Sequence, residues 1–513
     1  MNIAQLIKEN VQKFGEYEQL IFIGPEDKVI LTNVEIENGG ARLAAGLKAL
    51  GIKKGDIVAS CVSNSPQIPE IMNGIMRTGA AFLPIIYALT PSEIRYILED
   101  SLAKIVITEE NLLGKVLEAV KDVKTVTKVA VLENSVDPEV MAYETLLKLS
   151  DDRGDVEDVL ADDLAILMYT SGTTGRPKGV MLTHNNLLSS MQQGAEVWPS
   201  DHNDRVLITV PMNHIYGVLF YHESCAFGSS MVLIPWFDAG KALTLITDYK
   251  ITITPLVPTM ITMMMEKYDP VRHSLKSIKY MISAGAPLAE ETWQKARQMF
   301  GLDLYHGYGL TEGGPTVARQ RPDKPFKYGS VGPSIPGLEV KIVDDQDHEL
   351  SPGKEGEIIC QGPGIMKGYL NKPEETAAAL KEGWLHTGDL GRMDENGELY
   401  VTGRKKDLII KGGENIDPGI SENWLFKHPA VLEAAVVGVP DSKYGEEVAA
   451  AVVLKEDQKA TEEELLKYMG EHVHHFFAPK KIFIVDTLPK TSTGKILKRE
   501  IRKKLKERTT TGE

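Results

Sequence analysis

Residues 169–179 read YTSGTTGRPKG and bring together three glycines, four aliphatic hydroxyls and two cations. Glycines allow backbone N–H groups to approach an anion, hydroxyls donate to phosphate oxygens, and cations balance the charge. The stretch does not follow the G-x-x-x-x-G-K-[ST] pattern of a Walker A loop, because Lys178 follows Pro177 and precedes Gly179. It predicts either a different phosphate-binding loop or a glycine-rich surface turn.

The sequence on either side favours the phosphate loop. LAILMY at 164–169 is an apolar run of strand length, and THNNLLSSMQQGAEV at 183–197 has a helical pattern with Thr183 as a candidate N-cap. The predicted order is therefore strand, loop and helix, in which the N-terminus of the helix would attract an anion.

Length and composition exclude several classes of protein. The 513 residues exceed one ordinary domain, and 42% hydrophobic with 25% charged residues are typical of a soluble globular protein. The net charge of -15 disfavours a nucleic-acid partner, and no apolar run approaches the roughly 18 residues of a transmembrane helix. Cys61, Cys225 and Cys360 are too far apart for a disulfide framework or a zinc site, so we predict a reducing, cytoplasmic location.

The pattern of the chain changes twice, which predicts an α/β protein with two domains. Over residues 1–160 and 205–300, helical patterns alternate with short apolar strands, as expected for α/β layers with a parallel sheet. From about residue 325, shorter strands joined by turns predict a small β subdomain, and the segment after TGRKKD predicts a small, mobile α+β lid. The predicted divisions are an N-terminal domain at 1–403, a hinge at 404–406 and a C-terminal lid at 407–513.

Seven motifs follow one another in an order that is known from one family. They are YTSGTTGRPKGV (169–180), PMNHIYG (211–217), SAGAPL (283–288), YGLTE (308–312), TGD (387–389), GRKKDLIIKGGENI (403–416) and PKTSTGKILKR (489–499). In these motifs the sequence resembles the adenylate-forming enzymes, which include acyl-CoA synthetases, adenylation domains of peptide synthetases and beetle luciferases. The resemblance extends over nearly the whole chain.

The resemblance implies a two-step reaction that uses ATP, Mg²⁺ and CoA. A carboxylate first attacks the α-phosphate of ATP, which gives an acyl adenylate and pyrophosphate. A thiol, usually that of CoA, then displaces AMP. The first step depends on charge stabilisation at phosphoryl oxygens more than on covalent help.

The resemblance also assigns residues to ATP and AMP. The phosphate loop would hold the β- and γ-phosphates, and the 283–288 loop would approach adenine by its backbone. Tyr308 offers a flat face to adenine, whereas Asp389 accepts both ribose hydroxyls and Arg404 donates to the same sugar. The full implied set is Thr170, Ser171, Gly172, Thr173, Thr174, Gly175, Lys178, Gly285, Ala286, Pro287, Tyr308, Asp389 and Arg404.

Four side chains are implied in catalysis. Thr311 would hydrogen-bond the α-phosphate, and Glu312 would hold Mg²⁺. His214 resembles the family's gate between the acyl carboxylate and the thiol tunnel, although Asn213 stands where relatives often carry an aromatic residue. Lys495 follows a glycine turn, from which it would reach the carboxylate and the α-phosphate together.

The resemblance implies that the lid moves between the two steps. Lys406 resembles the family's pivot, and rotation about it would remove the lid lysine from the site. The same rotation would bring in Gly412 and Gly413, which leave room for the pantetheine arm of CoA. The sequence departs from the family just afterwards, at Asp417 and Gly419, and a glycine there weakens the start of a helix by roughly 1 kcal/mol relative to Ala.

For the acyl group, the sequence favours a fatty acid. Candidate pocket residues around 214–217, Trp236, 258–260 and 283–286 are mostly apolar and include no Arg or Asp for a second charged group. We predict a carboxylic acid–CoA ligase for a medium- or long-chain monocarboxylate. An aryl or cyclic acid, transfer to a carrier protein and a catalytically inactive nucleotide-binding regulator are the alternatives. A homo-oligomer is compatible with the sequence.

Overall fold

The computed structural model describes residues 1–135, 137–170, 176–441, 443–456, 458–490 and 496–511. These residues form fifteen α-helices, two 3₁₀ helices and four β-sheets. Two eight-stranded sheets and a smaller third sheet form the large N-terminal part, which we call the body. The fourth sheet and its helices form the smaller C-terminal part, which we call the lid. The predicted α/β fold class is confirmed.

The first part of the body alternates helices with short strands. Its strands read as apolar runs, and all five residues of β3 are buried, which is typical of parallel strands covered on both faces. The elements are α1 (Gln5–Phe14), β1 (Glu18–Ile23), β2 (Lys28–Thr32), α2 (Asn33–Ala49), β3 (Ile57–Cys61), α3 (Ile68–Arg77), β4 (Ala81–Pro84), α4 (Pro91–Ser101), β5 (Ile105–Thr108), α5 (Glu110–Val120), β6 (Lys128–Val131), β7 (Val140–Ala142) and α6 (Tyr143–Leu146).

The second part of the body repeats this alternation after a hairpin. A 3₁₀ helix at Thr311–Gly313 lies near its end. The other elements are β8 (Leu164–Thr170), β9 (Lys178–Thr183), α7 (His184–Val197), β10 (Arg205–Ile208), α8 (Ile215–Phe227), β11 (Ser230–Leu233), α9 (Ala239–Asp248), β12 (Ile253–Leu256), α10 (Pro258–Lys267), β13 (Tyr280–Ser283), α11 (Glu290–Phe300), β14 (Leu304–Tyr308) and β15 (Ala318–Arg319).

The glycine-rich stretch joins two strands, and the predicted order of strand, loop and helix is wrong at this point. Residues Lys178–Thr183 form β9, which pairs antiparallel with β8, so that Thr170 lies opposite Lys178. The helix α7 starts only at His184, where Thr183 caps it by accepting from the Asn186 N–H, as its sequence predicts. The loop therefore closes a hairpin, and no helix N-terminus follows it directly.

The small β subdomain that the sequence predicts is an antiparallel sheet. Its order is β16, β17, β20 and β19, and β21 also pairs with β20, further along the strand than β19. β18 leaves this sheet and pairs with β9 of the hairpin. The elements are β16 (Glu339–Val343), β17 (Gly356–Gln361), β18 (Gly368–Tyr369), α12 (Pro373–Ala379), β19 (Leu380–Lys381), β20 (Trp384–Met393) and β21 (Leu399–Arg404).

The two large sheets share one hydrophobic core. One sheet has the strand order β15-β14-β13-β12-β10-β11-β1-β2 and the other β18-β9-β8-β4-β3-β5-β6-β7. Val206 of the first sheet and Phe82 of the second belong to the same cluster of buried side chains as Leu43 of α2 and Ile71 of α3. Helices between the sheets thus hold both sheets in a fixed relation, and the ends of their strands carry most of the predicted site residues.

The lid has its own sheet and its own core. A 3₁₀ helix at Lys405–Asp407 leads into it from β21, so the predicted hinge occupies the end of that strand and the start of this helix. Thr461 and Glu464 form the capping box that the sequence predicts at the start of α14. The elements are β22 (Ile409–Lys411), β23 (Glu414–Ile416), α13 (Pro418–Lys427), β24 (Val431–Asp441), β25 (Gly445–Leu454), α14 (Glu462–His472), β26 (Lys481–Ile484) and α15 (Lys498–Thr511).

Within the described part of the chain, none of the helices combines the length and the apolar character that crossing a bilayer requires.

Candidate active site

The hairpin that carries the glycine-rich loop is anchored to helix α4 on both of its strands. The Tyr169 hydroxyl, at the end of β8, donates to Asp100 Oδ2 at 2.6 Å. The Tyr96 hydroxyl donates to the carbonyl oxygen of Pro177 at 3.2 Å, just before β9. The loop is therefore held at both ends by side chains of one helix. Its predicted phosphate-binding residues Ser171, Gly172, Thr173, Thr174 and Gly175 lie outside the described residues.

The predicted residues Thr170, Lys178 and Glu312 lie together at the base of this loop. The Thr170 hydroxyl donates to Glu312 Oε1 at 3.4 Å, and the Tyr369 hydroxyl donates to the same oxygen at 3.1 Å. Lys178 Nζ lies 4.9 Å from the centre of the Tyr369 ring. Tyr369 thus contacts both Lys178, which is predicted to bind phosphate, and Glu312, which is predicted to bind Mg²⁺.

The surroundings of Glu312 suit Mg²⁺. One carboxylate and nearby hydroxyl oxygens are hard ligands, and Mg²⁺ is commonly held by one or two carboxylates together with substrate phosphates. No group of three or more His, Cys, Asp or Glu side chains in the described ranges could hold a metal ion by itself. An ion at Glu312 would therefore complete its ligand set with phosphate and water oxygens. Thr311, predicted at the α-phosphate, is the buried residue next to Glu312.

The predicted adenosine residues form a second cluster around Asp389. Arg404 lies opposite Asp389 in the β20–β21 pair, and its Nε donates to Asp389 Oδ1 at 2.7 Å. The Tyr308 hydroxyl, at the end of β14, donates to Asp389 Oδ2 at 2.7 Å. Each carboxylate oxygen has a second acceptor position, so the two ribose hydroxyls can still be bound.

Both side chains that donate to Asp389 have raised pKa values. Burial raises the pKa of Tyr308 well above its usual value, and the neighbouring Asp389 raises it further, so that Tyr308 stays a hydrogen-bond donor. Burial lowers the pKa of Arg404, but Asp389 and other anionic neighbours outweigh this effect and the pKa is raised. The cluster therefore presents one carboxylate between a hydroxyl donor and a permanent cation.

The loop predicted to meet adenine follows β13. Gly285 has a φ of +83°, a conformation that L side chains rarely adopt, and it is exposed together with Pro287. Ala284 N–H donates to the Leu256 carbonyl at 3.1 Å, which holds the start of the loop against the neighbouring strand. Gly285, Ala286 and Pro287 thus offer backbone on an exposed surface, as an adenine contact would need.

His214 caps the helix α8. Its Nδ1 accepts from the Tyr216 N–H at 3.2 Å, and its carbonyl accepts from Gly217 and Val218. The neighbouring Asn213 is buried, and its Nδ2 donates to the Ile85 carbonyl at 3.4 Å. The predicted gate residue therefore stands at the beginning of a buried helix, with its ring orientation set by the first turn.

The lid residues predicted from sequence have separate surroundings. Lys495 lies outside the described residues. Lys406 lies in the 3₁₀ helix between β21 and β22 and is exposed. Gly412 and Gly413 form the exposed turn between β22 and β23 with φ of +61° and +87°. Because a two-residue hairpin turn with two positive φ values favours glycine by itself, these glycines give no independent evidence for a CoA contact.

Asp417 and Gly419 form the start of α13. Asp417 Oδ1 accepts from the Gly419 N–H at 2.8 Å and caps the helix, so Gly419 occupies the first turn and not the helix interior. A Cβ atom at Gly403 of β21 would lie 3.0 Å from Asp417 Oδ1. The departure from the family thus lies where the lid contacts the last strand of the body.

Several residues that the sequence analysis does not identify lie at or near the site. Tyr369 contacts two predicted residues, and Tyr96 and Asp100 hold the loop. Glu223 of α8 and Arg319 of β15 form a charge pair that is largely hidden from solvent, with 3.6 Å between Oε1 and Nη2. Their side chains are 13% and 3% exposed, so the expectation of a pocket region without charged side chains is incomplete.

Two other features do not mark the site. Trp236, a candidate for the acyl pocket, is 61% exposed. A cavity of about 640 Å³ lies on the β subdomain and is lined by Pro333, Gly337 and Glu339 among others, none of which is a predicted site residue. Cavity size therefore does not locate the chemistry in this molecule.

Fold and clusters together define a class of enzyme that activates a carboxylic acid with a nucleotide, in a body closed by a lid. The chain belongs to the family of AMP-binding enzymes. The model described as "AMP-binding enzyme" matches residues 7–370, and that described as "AMP-binding enzyme C-terminal domain" matches residues 421–495.

Its relatives include ligases of different acids. A long-chain-fatty-acid–CoA ligase of Bacillus subtilis (strain 168) is 35% identical over 97% of this chain and 94% of its own length. The 4-coumarate–CoA ligase 3 of Oryza sativa subsp. japonica is 35% identical over 92% of this chain and 87% of its own length. The chain is accordingly an AMP-forming acid–CoA ligase that works through an acyl adenylate, and ATP, Mg²⁺ and CoA serve its reaction.

A solved structure of one relative allows two states to be compared. The ATP-bound crystal structure of MatB from Rhodopseudomonas palustris matches with a TM-score of 0.89, and apo MatB from the same organism matches with a TM-score of 0.75. Both are 30% identical and cover 99% of each chain. Because both states are of one protein, sequence differences do not explain the gap between the scores. The arrangement of this chain is nearer to that of the ATP-bound state.

Proposed function

We propose that the clusters around Glu312 and Asp389 carry the nucleotide through both steps of an acid–CoA ligase. The observation that supports this most directly is Asp389, whose two oxygens accept from the Tyr308 hydroxyl and from Arg404 Nε. Asp389 would receive the ribose hydroxyls, and Tyr308 would stack on adenine. Arg404 would hold the carboxylate in its orientation.

The first step takes place at the other cluster. Lys178 and the loop 170–175 would balance the charge of the β- and γ-phosphates, and Glu312 would hold Mg²⁺ where charge develops on the leaving pyrophosphate. Thr311 would hydrogen-bond the α-phosphate as the carboxylate attacks it. His214 would border the acyl carboxylate at the start of α8, and Lys495 would reach the reacting groups from the lid.

The second step would use a different orientation of the lid. We take residues 1–403 as the N-terminal domain, 404–406 with Lys406 as the hinge and 407–513 as the lid. The similarity to the ATP-bound state of a relative is consistent with the orientation for the first step. Rotation would then carry the turn at Gly412 and Gly413 to the site for the thiol. The predicted cytoplasmic location rests on the free cysteines and stays a prediction.

For the acyl group, the structure favours the aryl or cyclic alternative over the medium- or long-chain fatty acid. An acyl group that enters beside His214 would run along α8, past Tyr216 and Phe220. The next turn of this helix carries Glu223, which faces Arg319. A long alkyl chain in that position would lie against two charges away from solvent, which is costly. A compact acid would end before or at this pair.

The experiment is an assay of both half-reactions with a panel of acids. Pyrophosphate exchange into ATP should depend on the acid and on Mg²⁺, and release of AMP with thioester formation should depend on CoA. Aryl and cyclic acids should give higher kcat/KM than fatty acids of ten or more carbons. Exchange without any use of CoA, but with transfer to a carrier protein, would contradict the ligase. Higher kcat/KM for the long fatty acids would restore the fatty-acid prediction.

A further inference from the structure

The structure contains a group of buried polar atoms without partners deep beside α8. In the described ranges, Tyr216 Oη, Glu223 Oε1 and Ser224 Oγ are shielded from solvent and have no hydrogen-bond partner. Buried polar atoms in native proteins are nearly always hydrogen-bonded, because leaving one unpaired costs about 1–3 kcal/mol. Several such atoms in one place therefore indicate a site that something else completes.

These atoms lie on one face of α8 that starts at the predicted gate. Tyr216, Phe220 and Glu223 follow one another at i, i+4 and i+7, which places them on one side of a helix. The rings of Tyr216 and Phe220 are in edge contact with their centres 5.5 Å apart. His214 caps the same helix, so this face begins at the place where the proposed function puts the acyl carboxylate.

Arg319 closes the inner end of this face. Its Nη2 donates to the Thr316 hydroxyl at 3.2 Å and lies 3.6 Å from Glu223 Oε1, too far for a good hydrogen bond. Its guanidinium lies 4.4 Å from the centre of the Trp198 ring. Arg319 pairs in register with Gly307, the residue before Tyr308, which ties this end to the nucleotide side of the site.

Both charges act on the tyrosine hydroxyl. Burial raises the pKa of Tyr216, and the charges of Arg319 and Glu223 shift this pKa in opposite directions. Burial also raises the pKa of Glu223, which Arg319 lowers in part. Tyr216 therefore lies within range of the pair, although it is two turns closer to the gate than Glu223.

The space at the pair is small. A cavity of about 10 Å³ is lined by Glu223, Ser224, Phe220 and Trp198, together with Val206 and Ile253 from the sheet. This volume fits about one water molecule or one hydroxyl group. A methyl group would fit the volume but would leave the polar atoms unpaired. A second carboxylate would be too large and would add a negative charge beside Glu223.

We propose that Glu223, Arg319 and Tyr216 form a polar subsite that receives a hydroxyl group at the far end of the acyl substrate. This inference rests on the proposed function of the site. The hydroxyl donates to Glu223 Oε1, which now lacks a partner, and accepts from Arg319 or Tyr216. From His214 to Glu223 the helix rises roughly 13 Å, and side chains lean back towards its N-terminus. The acid therefore spans about 10 Å from its carboxyl group to its hydroxyl group.

The test compares acids that differ by one hydroxyl. The probes are 3-phenylpropanoate with its para-hydroxylated form, and octanoate with 8-hydroxyoctanoate. The hydroxylated acid of at least one pair should have a kcat/KM at least about 10-fold higher, because a site built to bind a hydroxyl rejects the analogue without it. A ratio near 1 in both pairs, or higher activity with octanedioate than with 8-hydroxyoctanoate, would overturn the proposal.

Variants connect the preference to these residues. Glu223→Leu with Arg319→Met replaces the pair by apolar side chains of similar size, and such replacements are often tolerated. In the double variant, the kcat/KM of the hydroxylated acid divided by that of the unsubstituted acid should fall below about 2. The KM for ATP, measured with the unsubstituted acid, should stay the same. Tyr216→Phe removes a single hydroxyl and should lower the ratio about 3- to 10-fold. If the double variant does not fold, Tyr216→Phe alone is the test of the subsite. A kcat/KM ratio that Tyr216→Phe leaves unchanged would then overturn the proposal.

A matched control lies on the same helix. The Tyr221 hydroxyl donates to the Pro69 carbonyl at 3.4 Å, so Tyr221→Phe removes a buried hydroxyl from α8 outside the subsite. This variant should keep the parental ratio. If the double variant also kept that ratio, the pair would be structural and the proposal wrong. If no acid supported pyrophosphate exchange in the parent protein, the proposed function itself would fail.

Discussion

The body and the lid hold their predicted site residues in different ways. In the body, Asp389 meets both Tyr308 and Arg404, so each side chain is fixed by a neighbour before a substrate binds. In the lid, Gly412 and Gly413 form an exposed turn that is explained by its own backbone geometry. The difference teaches that the proposed nucleotide site of the body is held by contacts within the protein, whereas the proposed contribution of the lid depends on its orientation. Variants of the Asp389 cluster should therefore affect both half-reactions, and a variant of the lid lysine only one.

The largest expected effect tests the lid side of this comparison. Lys495→Ala should reduce formation of the acyl adenylate from acid and ATP by about 10²-fold or more, because a carboxylate then approaches a triphosphate without the lid cation. Conversion of chemically supplied acyl adenylate to thioester should stay near the parental rate. Lys498→Ala is the control, because Lys498 is 2.7 Å from Glu422 within the lid. Equal loss of both half-reactions in Lys495→Ala would break the comparison.

The next effect tests the body side. Asp389→Asn should reduce both half-reactions about 10- to 100-fold, since AMP is held in each of them and Arg404 loses its ionic partner. Tyr308→Phe removes one hydrogen bond to the same carboxylate and should cost about 1 kcal/mol, or roughly 5-fold in the KM for ATP. Rates of the two half-reactions, measured on one preparation, check this. A selective loss of one of them would place Asp389 outside the shared nucleotide site.

A smaller effect sharpens the comparison within the body. Tyr369→Phe keeps the ring near Lys178 but removes the hydroxyl that donates to Glu312. Adenylation should fall about 5-fold and need more Mg²⁺, whereas thioester formation, from which pyrophosphate has departed, should not change. Tyr328→Phe is the control, because its hydroxyl accepts from Arg297 at 3.3 Å away from the site. A Mg²⁺ titration that overlays the parental curve would remove Tyr369 from the metal cluster.

The last effect is on stability and concerns the contact between lid and body. Burial raises the pKa of Asp417 to about 6, and the hydrogen bond from Gly419 offsets part of this rise. Because the folded-state pKa lies above the unfolded value of about 4, the contribution of this carboxyl to stability is complete below pH 4 and is lost as the pH rises through 6. Asp417→Asn cannot ionise. Its stability relative to the parent should therefore improve by roughly 1–3 kcal/mol between pH 4 and pH 7.5.

Thermal unfolding of parent and variant across this pH range measures the effect. Asp441→Asn serves as the comparison, because Asp441 lies in the lid and its pKa is lowered by backbone hydrogen bonds from Tyr444 and Lys443. Its contribution has the opposite sign and is lost as the pH falls. Parallel pH profiles for the parent and Asp417→Asn would show that the Asp417 carboxyl is not buried in solution.

Local patterns predicted several strands of the body and the capping residues Thr183 and Thr461. They failed for β9, because its first residues, Lys178 and Gly179, are of the same residue types as the preceding loop. In the structure both residues already pair with β8. The signal that could have shown this strand is the alternation of KGVMLT. Strand pairing is a property of two segments, and one segment alone does not reveal its partner.

Distant pairs were likewise missed. Tyr369 reaches Glu312 across 57 residues, and Glu223 meets Arg319 across 96 residues. Each of these residues is ordinary in its own sequence neighbourhood: Glu223 lies within a buried helix, and Arg319 ends a two-residue strand. The residues assigned through the family resemblance come from local motifs, and their roles stay predictions. The contacts that fix their geometry come from elsewhere in the chain, and for these the fold was necessary.

The pairing of β1 with β11 has a consequence for folding during synthesis. β1 pairs in parallel with a strand that ends at Leu233, and Asn10 Nδ2 donates to the Cys225 carbonyl at 2.7 Å. At 5–20 residues per second, synthesis from Ile23 to Leu233 takes roughly 10–40 s. During this time the apolar first strand has no native neighbour on that side, so we expect it to engage a chaperone on the ribosome. In chains stalled before residue 205, a protease should cleave β1. In chains stalled well after residue 233, β1 should be protected from the protease.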